Sequence, residues 1–253
     1  MPHGYAGKIL FVDLTTGKIK EEAPPESLYR DFIGGTGLGV RVLYEHMKPK
    51  EDPLGPGNML GFVPGLLTAT TTPGSGRYMV VTKSPLTGAW ADANGGGILG
   101  PEVKWAGYDG VFISGVSKKP VYLLISGGKA EVRDASHLWG KDSNETDDIL
   151  QQELGKPQAR VACIGPSGEA CSLIAAIVNE RGRTAARSGV GAVMGSKRLK
   201  AVVVRGERKS GSVADLEKFK AAREAYSTAL KASKFKQGLT AVGTGLCEQT
   251  LLP

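Results

Sequence analysis

The chain has 253 residues and a formal net charge of +7, and its 41% hydrophobic and 23% charged residues are the proportions of a globular protein long enough to bury a core. Its 36 Gly are about twice the average share and fall in clusters, which excludes collagen-like repeats and flexible linkers and points to tight turns or to backbone held close to a ligand. Lys and Arg are scattered and aromatic residues do not interleave with them, so no nucleic-acid partner is expected; a basic surface or a site for an anionic ligand accounts for the charge.

In chain order, Lys8 to Leu14 reads as a strand, Thr15-Thr16-Gly17 as a turn and Lys18 to Glu21 as the returning strand of a hairpin. Leu28, Phe32 and Ile33 suit a short helix stopped by Gly34-Gly35, and Leu38, Val42, Leu43 and Met47 suit another. Asp52 to Gly57 is a loop. From Met59 to Gly115 short strands alternate with Gly-rich turns, the clearest being Arg77 to Thr82 and Gly110 to Ser114. Pro120 to Ile125 and Lys129 to Arg133 form a second hairpin across Gly127-Gly128. Asp142 is placed to cap a helix with Ile149, Leu150 and Leu154 on one face. Arg160 to Ile164 reads as a buried strand, Gly165 to Gly168 as a turn, Ser172 to Asn179 as either strand or helix, and Leu199 to Arg205 as the last strand. Beyond Gly206 the pattern changes: Asp215 caps a helix whose stripe is Leu216, Phe219, Ala222, Tyr226 and Leu230. The fold class is therefore α+β and mostly β, with a β-rich domain over 1–208 and the truncated start of a helical domain over 209–253.

Cys163, Cys171 and Cys247 are three and lie in no C-x-x-C, which argues against a disulfide framework and for a reducing compartment. A [4Fe–4S] cluster takes four thiolates, so this chain is not expected to ligate one. The opening Met1-Pro2-His3-Gly4-Tyr5 lacks the apolar stretch of a signal peptide, and no apolar run approaches a membrane span. A cytoplasmic protein with no membrane partner is expected.

Three segments combine Gly with Arg or Asn: Pro73-Gly-Ser-Gly-Arg-Tyr78, Asp92-Ala-Asn-Gly-Gly-Gly97 with Gly100-Pro-Glu102, and Arg181-Gly-Arg-Thr-Ala-Ala-Arg-Ser-Gly-Val-Gly191. Glycine lets backbone N–H groups crowd an anion, and a neighbouring guanidinium grips phosphate oxygens with two parallel bonds. Arg181, Arg183 and Arg187 would repel one another unless something anionic sat among them. One such segment alone reads better as a turn with solvated arginines; three in one domain favour a phosphate cradle. No G-x-x-x-x-G-K-[ST] is present, and the G-x-G within Gly35 to Gly39 has the wrong spacing for a dinucleotide loop. His3, His46 and His137 are too dispersed for a metal triad, Glu102 and Asp109 flanking Lys104 read as solvated or structural rather than as an acid/base pair, and no catalytic residue can be assigned.

Several motifs, in order, resemble the aldehyde:ferredoxin oxidoreductase family: Tyr5 to Lys18, Phe32-Ile-Gly-Gly-Thr-Gly-Leu-Gly39, Ser75-Gly-Arg-Tyr78, Thr82-Lys-Ser-Pro-Leu-Thr-Gly88, Ala135-Ser-His-Leu-Trp-Gly-Lys141, Val161-Ala-Cys-Ile-Gly-Pro166 and Gly189-Val-Gly-Ala-Val-Met-Gly-Ser-Lys197. The resemblance runs from about residue 4 to about 206. It implies a two-layer β-sheet pterin-binding domain with short helices, the base on which a tungsten (or molybdenum) bis-pterin lies. It implies that Arg77, Asn94, Gly96, Arg183, Thr184, Ala186 and Arg187 line the pterin phosphates. The main-chain carbonyls of Asn94 and Thr184 would hold a magnesium ion between those phosphates. The family's [4Fe–4S] cysteines would follow residue 253, in remaining domains or a separate subunit, with ferredoxin as electron acceptor. The chain departs from the family where Thr184, Ala186 and Ser188 replace small residues; Ala186 for Gly matters if the backbone there needs a positive φ. Two functions remain open. One is the cofactor-binding part of an aldehyde-oxidising enzyme, inactive alone. The other is a non-catalytic pterin-binding module or inactive fragment. An adjacent reading frame carrying a C-x-x-C-x-x-x-C would favour the first.

Overall fold

The computed structural model describes residues 3–155, 159–207 and 212–243. Cys247 and the expected boundary at 208/209 lie outside those residues.

Strands β1 (Ile9–Asp13) and β2 (Lys18–Glu22) form the first hairpin. Asp13 makes its turn, its carboxylate accepting from the Thr15 N–H at 2.9 Å and the Thr16 hydroxyl at 2.7 Å. Helices α1 (Glu26–Phe32) and α2 (Thr36–His46) follow. The left-handed residue after α1 is Ile33 itself, at φ 61°, one position ahead of the glycine pair expected to end the helix. Then come β3 (Leu60–Pro64), β4 (Tyr78–Lys83), β5 (Trp90–Gly95), α3 (Leu99–Trp105) and β6 (Gly110–Ser114). The second series is β7 (Val121–Ser126), β8 (Lys129–Asp134), α4 (Ser143–Leu154), β9 (Arg160–Cys163), α5 (Pro166–Glu169), β10 (Ile177–Asn179), β11 (Arg183–Ala185), α6 (Val190–Ser196) and β12 (Leu199–Arg205). Asp142 caps α4 in a reciprocal box with Glu145. Helices α3 and α6 escape a periodicity reading because each is seven residues long, contains Gly and is buried over most of its length.

The strands make two six-stranded mixed sheets, ordered β2-β1-β6-β3-β4-β5 and β11-β10-β9-β12-β7-β8. Read from its other end, the second order is the first with six added to every label. The pair senses match as well: β1 with β6 and β7 with β12 are parallel, and all other pairs are antiparallel. Side chains alternate across the strands. Leu10, Val12, Val111 and Ile113 of the first sheet meet Leu123, Ile125, Val202 and Val204 of the second in one core. The opposite faces are buried too, Ile9, Val63, Val81 and Phe112 beneath α1 and α2, and Tyr122, Leu124, Cys163 and Val203 beneath α4. Burial on both faces explains why β12 reads as an unbroken apolar run from Ala201 to Val204.

These elements belong to one compact unit, residues 1–70 with 74–212. A second unit comprises 71–73 and 213–253. Within it, α7 (Leu216–Ala232), capped by Asp215, and α8 (Lys234–Val242) bury no residue fully.

Lys197, at 0% exposure, donates from Nζ to the carbonyls of Asn58 at 2.5 Å and Gly115 at 3.3 Å. Burial lowers its pKa from 10.5 to about 8, and burial does the same to Lys104. Above pH 8 the unfolded chain holds a proton that each folded lysine has released, so stability rises with pH there and this contribution is missing at lower pH. Burial pushes the Cys163 thiol up to about 12 from 9, which opposes the lysines above pH 9. Between pH 8 and 9 each lysine is expected to add about 1 kcal/mol. Urea unfolding at the two pH values should show this rise, and Lys197→Met should remove about half of it.

A candidate anion cradle at the meeting of two sheet edges

Strands β5 and β11 are the last strands of their sheets, and they touch each other. The three Gly-rich segments converge there. Arg77 stands just before β4, and Asn94 lies on β5 opposite Met79. The Arg77 guanidinium donates from Nε to the Asn94 side-chain oxygen and from Nη2 to the Asn94 carbonyl at 3.4 Å. Arg183, the first residue of β11, reaches the same place from the other sheet. A Cβ built on Gly96 would lie 3.3 Å from Arg77 Nη1 and 3.6 Å from Arg183 Nη1. One Nη1 nitrogen from each sheet's arginine thus faces a single buried glycine. Like charges held this close favour an anion between them.

A buried polar tie supports that glycine. Asn179, 1% exposed at the end of β10, donates from Nδ2 to the Gly96 carbonyl at 3.0 Å and accepts from the Tyr78 hydroxyl at 3.1 Å. Burial, followed by the negative charge of Glu180, raises the Tyr78 pKa, so the phenol stays a neutral donor. The tie therefore crosses from the first sheet to the second and back. The loop before Arg77 is held by Thr68, whose hydroxyl donates to the carbonyls of Ser75 at 2.8 Å and Arg77 at 3.2 Å.

The turn between β10 and β11 is strained. Glu180 and Arg181 are both left-handed, at φ 47° and 58°. Each costs roughly 1–2 kcal/mol for a residue with a Cβ. The Glu180 carboxylate accepts from the Ile98 N–H and lies 3.5 Å from Arg183 Nε. Arg181 points elsewhere and pairs with Asp147 and Asp148. The expectation that three neighbouring arginines require an outside anion is thereby corrected: the protein's own carboxylates answer Arg181 and Arg183. Among the described residues Arg187 makes no hydrogen bond or ion pair.

Of the residues singled out from sequence, Arg77, Asn94, Gly96 and Arg183 come together directly. Thr184 follows Arg183 on β11, and Ala186 and Arg187 are exposed just beyond its end. Ala186 is not among the positive-φ residues; Ser188 and Gly189 take φ 64° and 70° instead, so alanine at 186 is unstrained. Tyr78, Asn179, Glu180 and Ile98 escape a sequence reading. The one available signal is the polar pair Asn179-Glu180 closing an otherwise apolar strand. Among the described residues no three His, Cys, Asp or Glu gather as a metal site, and no helix is long and apolar enough to cross a membrane.

The sequence model of the aldehyde ferredoxin oxidoreductase N-terminal domain matches residues 9–206. The chain is 48% identical to a tungsten-containing aldehyde ferredoxin oxidoreductase of Thermococcus kodakarensis, over 86% of this chain and 36% of that protein. It is 50% identical to the Pyrococcus abyssi protein of the same description, over 85% of this chain and 35% of that one. It is 37% identical to the WOR-like subunit of an aliphatic sulfonate oxidoreductase of Pyrococcus furiosus, over 95% of this chain and 41% of the subunit. Among solved structures, the active site complex BamBC of benzoyl coenzyme A reductase, with 1,5-dienoyl-CoA, superposes with a TM-score of 0.88 at 41% identity, over 91% of this chain and 35% of that one. The chain thus spans about a third of the length of these relatives.

Proposed function

Because this chain belongs to the aldehyde ferredoxin oxidoreductase family, we propose that it is the cofactor-binding base of a tungsten (or molybdenum) bis-pterin enzyme that oxidises aldehydes to carboxylates and passes the electrons to ferredoxin. The observation that carries the reading is the convergence of Arg77 and Arg183 on Gly96. Pterin cofactors of this kind end in phosphate, and the residues fit one: two exposed arginines, each with Nη1 toward a glycine whose Cβ would fill the space between them.

In this reading the first sheet supplies Arg77, Asn94 and Gly96, and the second supplies Arg183, Thr184, Ala186 and Arg187. The Asn94 and Thr184 carbonyls take a magnesium ion, a hard cation that prefers oxygen ligands. When bound, the cofactor supplies the redox-active metal. The chain's own share is to fix the phosphates, hold opposing charge against them and keep the floor rigid through the Tyr78–Asn179–Gly96 tie. The cluster thiolates and the substrate pocket belong to remaining domains or to a separate subunit. The sparse cysteines suit a reducing cytoplasm. The aldehyde substrate follows the relatives of 48–50% identity in preference to the sulfonate oxidoreductase at 37%.

Gly96→Ala tests the base directly. Neither neighbour of the new methyl is backbone, so the melting temperature should stay within about 2 °C of wild type; the methyl occupies the space meant for phosphate, so tungsten and pterin content should fall at least about tenfold. Wild-type metal and pterin content in the variant, or neither tungsten nor molybdenum in the wild-type protein expressed with its remaining domains, overturns the reading.

A further inference from the structure

We propose that Glu180 is a positioning residue for the cradle, clamping Arg183 on one sheet and the Gly97–Ile98 turn on the other so that both present one fixed anion site; the proposal rests on the cofactor-binding reading above.

Three independent features point to it. The first is connectivity. One carboxylate oxygen accepts from the Ile98 N–H, and the other lies 3.5 Å from Arg183 Nε. The Nε–H points away from Nη1, the atom nearest Gly96, so Glu180 pairs with Arg183 without engaging the nitrogen that faces the glycine. The second is fit. A Cβ at Gly97, itself at φ +94°, would fall 2.6 Å from the Glu180 carboxylate, so the turn has room for that side chain only because residue 97 has none of its own. The third is strain. Glu180 and Arg181 are consecutive non-glycine residues in the left-handed region, a conformation that persists only where surrounding contacts impose it, and such outliers gather at functional sites. A turn selected for stability alone would have glycine or asparagine at 180. The carboxylate is mostly buried, at 20% exposure, whereas Arg183 is 60% exposed. The pair is therefore anchored on the glutamate side and open on the arginine side.

A carboxylate near an anion site also carries an electrostatic cost. If Glu180 acted only through its charge, removing that charge would strengthen anion binding. Positioning predicts the reverse, and strain separates it from a purely structural role. Glu180→Gly relieves the left-handed backbone and removes the clamp, so the cofactor-free protein should melt no lower than wild type while tungsten and pterin retention falls about tenfold. Glu180→Gln keeps an oxygen for the Ile98 N–H but loses the pairing with Arg183, and should retain an intermediate amount. Amide hydrogen exchange over residues 96–99 should quicken in the Gly variant and not in the Gln variant. The measurements use the full-length protein, with metal by elemental analysis, pterin by the fluorescence of its oxidised form, and melting followed without cofactor.

Retention at or above the wild-type level in Glu180→Gly overturns the proposal, as does a fall in melting temperature that parallels the loss of cofactor. If wild type and both Glu180 variants alike hold no tungstopterin, the cofactor reading itself has failed. If Gly96→Ala loses the cofactor and Glu180→Gly keeps it, only the positioning role is wrong.

Discussion

Changing Arg77 and Arg183 together to alanine in the full-length protein is expected to abolish tungsten and pterin retention while leaving the fold in place. Both side chains are exposed, and their partners within the chain are an asparagine and a partly buried glutamate. Contacts of that kind contribute about 0–1 kcal/mol to stability, so the melting temperature should move by only a few degrees. Binding is affected differently. A hydrogen bond to a charged group contributes roughly 1.5–3 kcal/mol, and both Nη1 donors facing Gly96 are lost, so retention should weaken by roughly a hundredfold to ten-thousandfold. Each single variant should fall between wild type and the double variant. Elemental analysis after extensive dialysis reads the outcome. Wild-type tungsten in the double variant sinks the assignment.

The largest effect on stability is expected at a position with no side chain. Gly195, in α6, is fully buried with its α-carbon against α5. A Cβ there would collide with the Gly168 carbonyl and come within 2.7 Å of its carbon. Backbone stands on both sides of that contact, so no rotamer change relieves it. Gly195→Ala should cost about 3 kcal/mol, the upper end of ordinary overpacking. For a domain of this size that is a fall of roughly 6–12 °C in melting temperature. Thermal unfolding measures it, and a shift under 2 °C would show that α5 yields easily.

The first two hairpins and the α4 cap were legible because their chemistry is local: the Lys8 to Leu14 strand with its Thr15-Thr16-Gly17 turn, the Gly127-Gly128 turn, the Asp142 cap; Ser172 to Asn179 stayed open between strand and helix, and β11 did not read as a strand. The helices α3 and α6 were not legible, since a seven-residue helix buried over most of its length has too few turns to show a period. The candidate site divides in the same way. Arg77, Asn94 and Arg183 announce themselves by type, beside glycines. Asn179 and Glu180 do not, because their role depends on Gly96 and Ile98, more than eighty positions away in the chain. Nor could sequence show that Arg181 turns aside to Asp147 and Asp148, since α4 lies in another part of the chain.

The two sheets repeat one strand order with the same pair senses, and their matching edge strands, β5 and β11, meet at the seam. A base of this kind needs only one folding solution, used twice. Each copy contributes one edge, and the two edges touch. Asn94 and Thr184 stand in corresponding places on the fifth strand of each copy, so under the proposed function a ligand with two like ends would meet equivalent backbone at both. Differences between the copies, such as the Glu180 turn in one of them, are where such a base can tell one end of its ligand from the other.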